Sequence, residues 1–304
     1  MKRLILLLCA AWLLLPALSP RALAQTTAPP RVVLFEREEI KPGRLVEHER
    51  EANNFARMLA HARTAGEPSY TRFGLTPVAG NANEVMYLYR FDSLEQWAQS
   101  QNDIERWMSR PGPMRAFYER LAGPPRPDAE DPHTSVRRMV GVYQPSMSYN
   151  PRPNLTKARY ISMTTIRVKP GHYGDWMRLI SMYVDAMKRM KGDPHFAAFE
   201  IVGGAPDGTF VFLTSMDSMA EMDRMTANAG EFPRAMGEKL DDFEKLVAAS
   251  FESMTTNIYA INPRISNPPA EFVAADPAFW SHDMPTPAPA APANRPAAAR
   301  RRQR

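Results

Sequence analysis

The chain has 304 residues, 44% of them hydrophobic, and its 38 Lys and Arg against 33 Asp and Glu give a formal net charge of +5. The excess is at the ends: setting aside Lys2, Arg3 and Arg21 and the closing Arg295, Arg300, Arg301, Arg302 and Arg304 leaves 30 basic residues against 33 acidic ones, which excludes a basic, nucleic-acid-binding fold. The single cysteine, Cys9, lies in an apolar leader, so loss of the leader excludes disulfides, thiolate nucleophiles and cysteine-held metals together.

The leader is residues 1–24. Lys2 and Arg3 precede an apolar run over 4–15, and Ala22-Leu23-Ala24 offers small residues for cleavage near Ala24. The run is shorter than the ~20 residues needed to cross a bilayer. An exported chain, periplasmic or secreted and without a transmembrane span, is expected.

Val32-Val33-Leu34-Phe35 begins a strand, broken at Lys41-Pro42-Gly43. A helix is expected over 44–62, with His48, Ala52, Phe55 and Leu59 at helical spacing on its core-facing stripe. Strands follow at 70–77 and 85–91. Asp92 or Ser93 caps a helix through Leu94 and Trp97, a further helical piece covers 114–121, and a strand at 136–143 ends this half. The second half repeats the order: strand 160–168, helix 173–190, strands 196–202 and 209–214, helix 218–227, one longer helical stretch over 232–249, and a strand near 255–261.

The halves also resemble each other residue by residue. Ile40-Lys41-Pro42-Gly43 returns as Val168-Lys169-Pro170-Gly171, and Tyr87-Leu88-Tyr89-Arg90-Phe91-Asp92-Ser93-Leu94 as Phe212-Leu213-Thr214-Ser215-Met216-Asp217-Ser218-Met219. The offset falls from 128 to 118 along the chain, each step at a loop. Each half reads β-α-β-β-α-β, a ferredoxin-like order. The expected fold is α+β: two ferredoxin-like repeats, at 31–150 and 159–266, joined by a linker at 151–158 and packed sheet to sheet as a single-chain pseudo-dimeric α/β barrel. Residues 267–304, rich in Pro, Ala and Arg, are expected to be a disordered tail.

The element order, the Lys-Pro-Gly turns and the Phe91-Asp92-Ser93-Leu94-Glu95-Gln96-Trp97 pattern resemble the dimeric α/β-barrel superfamily, most closely its NIPSNAP-like branch. The resemblance covers about residues 31–266 and implies a shared fold. Its members include cofactor-free monooxygenases, haem-dependent enzymes and isomerases, so fold alone does not choose an activity. Duplicated haem-binding relatives place an axial histidine on a helix of the C-terminal half. Here the helices of the second half hold none, so no haem and no other cofactor is expected.

Positions where the copies differ direct attention to the first half. His48 stands opposite Trp176 and is either a general base or metal ligand, or a satisfied histidine beside Glu47, Glu49 and Glu51. A zinc-protease reading of His48-Glu49 fails, since Ala52 stands where the second histidine belongs; no metal centre is expected. Glu36 and Glu38, opposite Thr164 and Ile166, share one face of the first strand. If Val33 and Phe35 face the helices, these carboxylates point between the sheets, in a polar cavity or at a hydrated edge. Arg72 (opposite Ala198), Tyr87 (opposite Phe212) and Tyr89 (opposite Thr214) add polar tips. Met216, Met219, Met222 and Met225, spaced by three, are read as core positions, because Phe91, Leu94 and Trp97 fill the first three places in the other half. His172 and His195 read as structural or exposed.

The expected function is binding of a small, partly apolar organic molecule in a pocket of the first half. One alternative is an enzyme like the cofactor-free monooxygenases or isomerases, with His48 as base and Arg72 or Tyr87 orienting an oxyanion. The other is an envelope interaction module whose Arg-rich tail contacts an anionic surface. Monomer and homodimer both stay open.

Overall fold

A computed structural model describes residues 28–123, 130–152, 154–190 and 193–280. The leader and residues 281–304 lie outside the described residues. The first half runs β1 (Val32–Ile40), α1 (Leu45–Thr64), β2 (Arg72–Ala79), β3 (Glu84–Phe91), α2 (Leu94–Ser109), α3 (Pro113–Ala122) and β4 (His133–Tyr143). The second runs β5 (Tyr160–Val168), α4 (Tyr173–Arg189), β6 (Ala197–Gly203), β7 (Thr209–Met216), α5 (Met219–Ala227), α6 (Glu231–Met236), α7 (Leu240–Ser250) and β8 (Phe251–Asn267), followed by α8 (Ala270–Ala275). The helical stretch expected over 232–249 is broken at Gly237, whose φ of 56° lies in the left-handed region that a glycine adopts cheaply.

All eight strands form one closed antiparallel barrel in the order β1-β3-β2-β8-β5-β7-β6-β4. Each half contributes a contiguous run of four. The two runs meet edge to edge, through β2·β8 on one side and β4·β6 on the other, so neither sheet keeps a free edge. β8 makes this possible by its 17-residue length: its first part pairs with β5 and its last part with β2. Among the described residues no helix is long and apolar enough to cross a membrane.

Strand alternation sorts the side chains into three cores. The barrel interior holds Val33, Phe35, Phe73, Leu75 and Met86 of the first half against Ile161, Met163, Phe199, Val211 and Tyr259 of the second. Gly141 makes room there: a Cβ on it would lie 2.9 Å from the Phe35 ring and 3.0 Å from Cβ of Phe199. The other strand faces are covered by helices, with Leu59, Tyr87 and Phe91 in one outer core and Trp176, Phe210 and Phe212 in the other.

This arrangement corrects the expected facing of β1. Val33 and Phe35 point into the barrel, and Glu36 and Glu38 point outward beneath α1, not between the sheets. The chain also stays ordered beyond residue 266. Phe272 and Trp280 are buried against Phe73 in the barrel core, and Trp280 Nε1 donates to the Thr156 carbonyl at 3.0 Å. Within the tail expected from residue 267, then, residues 267–280 are part of the fold. The methionine ladder divides as well: Met216 is fully buried, whereas α5 buries no residue and Met225 is 51% exposed.

Candidate functional site

α1 crosses the outer face of the first half with His48, Ala52 and Leu59 turned inward. Its packing on β8 is fixed by polar contacts: Asn53 Nδ2 donates to the Arg264 carbonyl at 2.8 Å, and the Arg264 guanidinium meets Glu49 at 2.6 Å. Beneath the first turns of the helix lies a cavity of about 280 Å³. Its polar wall contains Glu36, Glu38, His48, Arg72, Tyr87, Tyr89, His133 and Arg138, and Phe55, Ile104 and Ala52 give it an apolar side.

Every candidate named from sequence is therefore in one place. Glu36 lies opposite Tyr87 on one side of β1 and opposite Arg138 on the other. Its carboxylate accepts from Tyr89 Oη at 3.3 Å and from Arg138 Nε. Arg72, 4% exposed, donates from Nη1 to Tyr89 at 3.3 Å and lies 3.8 Å above the Tyr87 ring, a cation–π stack. Arg72 Nε has no hydrogen-bond partner among the described residues. A buried guanidinium donor left unpaired carries a desolvation cost.

Two participants were missed in the sequence. Arg138 is one. The other is His133, whose Nε2 lies 3.2 Å from Glu38 Oε2 and whose Nδ1 lies 2.6 Å from Asp131 Oδ1. The expected strand began three residues late, at Val136, which left His133 in a loop. A bulge brings it to the site: β1 and β4 pair regularly to Glu39↔Ser135, then skip one residue to Ile40↔His133. The skip turns His133 to the same side as Glu36 and Glu38.

Burial, with the nearby His133 and Arg72, lowers the His48 pKa to about 4, so its imidazole is neutral at pH 7. Tyr87 Oη stands 3.0 Å from its Nε2, and Glu38 Oε2 is 3.4 Å away. Burial and the charge of Glu36 raise the Glu38 pKa, opposed by Arg72 and His133. Burial works to lower the His133 pKa, but Asp131 and Glu38 outweigh it and raise it.

The second half offers a comparison at the same ladder positions. Glu36 and Tyr87 pair as Thr164 and Phe212 do, and the bulge recurs between Arg167 and Val168, where Phe251 takes the place of His133. Gly74 lies opposite Tyr87 as Ala198 lies opposite Phe212, so extending the register by two puts Phe196, not Ala198, in the position of Arg72. Trp176, Phe196, Phe212 and Phe251 fill that space as a packed aromatic cluster. His195, beside it, is structural, with both ring nitrogens at backbone carbonyls, Asp193 at 2.8 Å and Ser215 at 2.7 Å.

No family model matches the chain, and no curated protein matches it in sequence. Solved structures align with much of the chain at low identity. An anthrone oxidase-like protein is 13% identical, with 76% of this chain and 90% of that one covered at a TM-score of 0.46. A candidate monooxygenase from Lactobacillus acidophilus NCFM is 8% identical, with 77% and 94% covered at 0.44. A mutant chlorite dismutase from Candidatus Nitrospira defluvii is 10% identical, with 84% and 98% covered at 0.44. Likeness at this level carries nothing about the chemistry of the cavity.

Proposed function

We propose that this chain binds a small, partly apolar organic molecule in the cavity beneath α1, with an anionic or enolic oxygen of that molecule received by Arg72. The observation that supports this most is the buried Arg72 guanidinium on the wall of a 280 Å³ space with one apolar side. The repeated element order, ladder registers and bulge support descent of the two halves from one duplicated ferredoxin-like unit, of NIPSNAP-like type. On that reading the first copy holds the polar pocket and the second is its filled counterpart. Export after cleavage near Ala24, and contact of the Arg-rich tail with an anionic envelope surface, complete the proposal on sequence grounds.

A second reading, an enzyme of the cofactor-free monooxygenase or isomerase kind, is favoured by the neutral His48 imidazole beside Tyr87. A base with its pKa near 4 is weak, which places binding first. The test is a thermal-shift screen of aromatic carboxylates and enolic polyketide-like compounds on wild type, Arg72→Met and His48→Ala. Stabilisation lost in Arg72→Met is the expected result. No shift with any compound would sink the pocket reading in favour of an envelope interaction module.

A further inference from the structure

The geometry points to a divalent transition-metal site formed by Glu38, His48 and His133, open toward the same cavity. One carboxylate oxygen and two imidazole nitrogens lie within 4.8 Å of one another. Glu38 Oε2 is 3.4 Å from His48 Nε2 and 3.2 Å from His133 Nε2. Donors bound about 2.1 Å from one ion stand roughly 3.0–3.4 Å apart, so the two Glu38 spacings already suit a shared cation.

Three further observations support the assignment. The donors come from three different elements, β1, α1 and the bulged start of β4, and each is held by its own packing. Asp131 Oδ1 lies 2.6 Å from His133 Nδ1, the outer carboxylate that commonly orients a metal-binding histidine through its second ring nitrogen. Glu38 is also a mostly buried carboxylate with no lysine or arginine at ion-pair distance among the described residues, whereas Glu36 has Arg138. The equivalent positions in the second half are Ile166, Trp176 and Phe251, none of them a ligand, so the fold itself does not require these groups.

Two imidazoles and a carboxylate, without sulfur, suit Zn(II) or Fe(II) and not Cu(I). Protein donors would occupy one side of the ion. The cavity side would be left for water or for an oxygen of the organic ligand, which Arg72 would meet from across the space. That last step rests on the small-molecule reading; the metal site does not.

Cobalt(II) is the probe, titrated into full-length protein that carries no histidine tag and has been stripped with a chelator. One Co(II) per chain with visible d–d absorption is expected. Glu38→Gln and His133→Ala each weaken binding roughly 100-fold, and Asp131→Asn roughly tenfold. Glu38→Gln keeps side-chain size, and urea midpoints of the stripped proteins show that each variant is folded. Co(II) binding no tighter in wild type than in Glu38→Gln overturns the site, as does no binding at all. Arg72→Met separates the two readings: it removes the organic-ligand shift and leaves the cobalt stoichiometry at one. Absent cobalt binding with that ligand shift intact overturns the metal alone.

Discussion

His48 and His133 meet edge to face, their ring centroids 5.2 Å apart, and at the equivalent positions across the barrel Trp176 and Phe251 meet at 5.8 Å. Each half thus has a slot between its first helix and a bulged strand. In one slot the side chains are polar around a cavity, and in the other they are apolar and close-packed. The stability of the two slots should differ accordingly.

Trp176 is fully buried among aromatic rings, so Trp176→Ala leaves a hole and should cost about 3–5 kcal/mol. His48→Ala enlarges an existing cavity and should cost about 1 kcal/mol, near the centre of single-substitution effects. Urea unfolding of both variants checks the contrast; equal costs would contradict it.

Arg72→Met removes the buried cation that faces Tyr89, Tyr87, Glu38 and Glu36. Glu36 keeps Arg138, which is more than half exposed. A loss of about 2–4 kcal/mol is expected, as for breaking a buried charge network. Arg72→Lys should recover only part of it, because an ammonium does not reproduce the planar stack on Tyr87.

Gly141 has no room for a side chain between Phe35 and Phe199, so Gly141→Ala should destabilise by about 1–3 kcal/mol through overpacking. Pairing it with Phe35→Leu should return part of the loss. A double-mutant cycle without coupling would show that the barrel interior adjusts freely at this point.

Alkaline pH should loosen the fold through Tyr70 and Tyr259. Burial raises both pKa values, followed for Tyr70 by its hydrogen bond to Asp103 and for Tyr259 by its hydrogen bond to Glu84. With folded-state values above the unfolded value of about 10, their contribution is fully present below that pH and is lost as pH rises above it. Phenolate absorbance should therefore appear in two stages, the exposed tyrosines first, and Tyr70 and Tyr259 together with the buried Tyr87 and Tyr89 on global unfolding. Tyr259→Phe should make stability less dependent on alkaline pH.

Much of this was legible in the sequence, and the exceptions have physical causes. The 3.6 periodicity of α1 places His48 on the inward stripe, and comparison of the two halves singles out six residues that line one cavity. The facing of β1 was not legible, because Val32-Val33-Leu34-Phe35 is apolar on both faces in a strand covered on both sides. His133 escaped because a bulge, not strand alternation, directs it. Its counterpart Phe251, at the same offset of 118 that aligns the closing strands, was the available signal. Arg72 was matched to Ala198 by sequence offset, whereas ladder register matches it to Phe196. A short shift in a connection is invisible until hydrogen bonds fix the pairing.

The two seams of the barrel bind the polar slot to the half that lacks one. β4, which carries His133 and Arg138, is hydrogen-bonded to β6, and α1, which carries His48, is latched to the end of β8 through Arg264. A fragment ending near residue 150 would hold every one of the polar groups and neither attachment. The polar slot and the vice that grips it are thus encoded far apart, and complementation between two separately made halves would have to restore the grip before the groups regained their spacing.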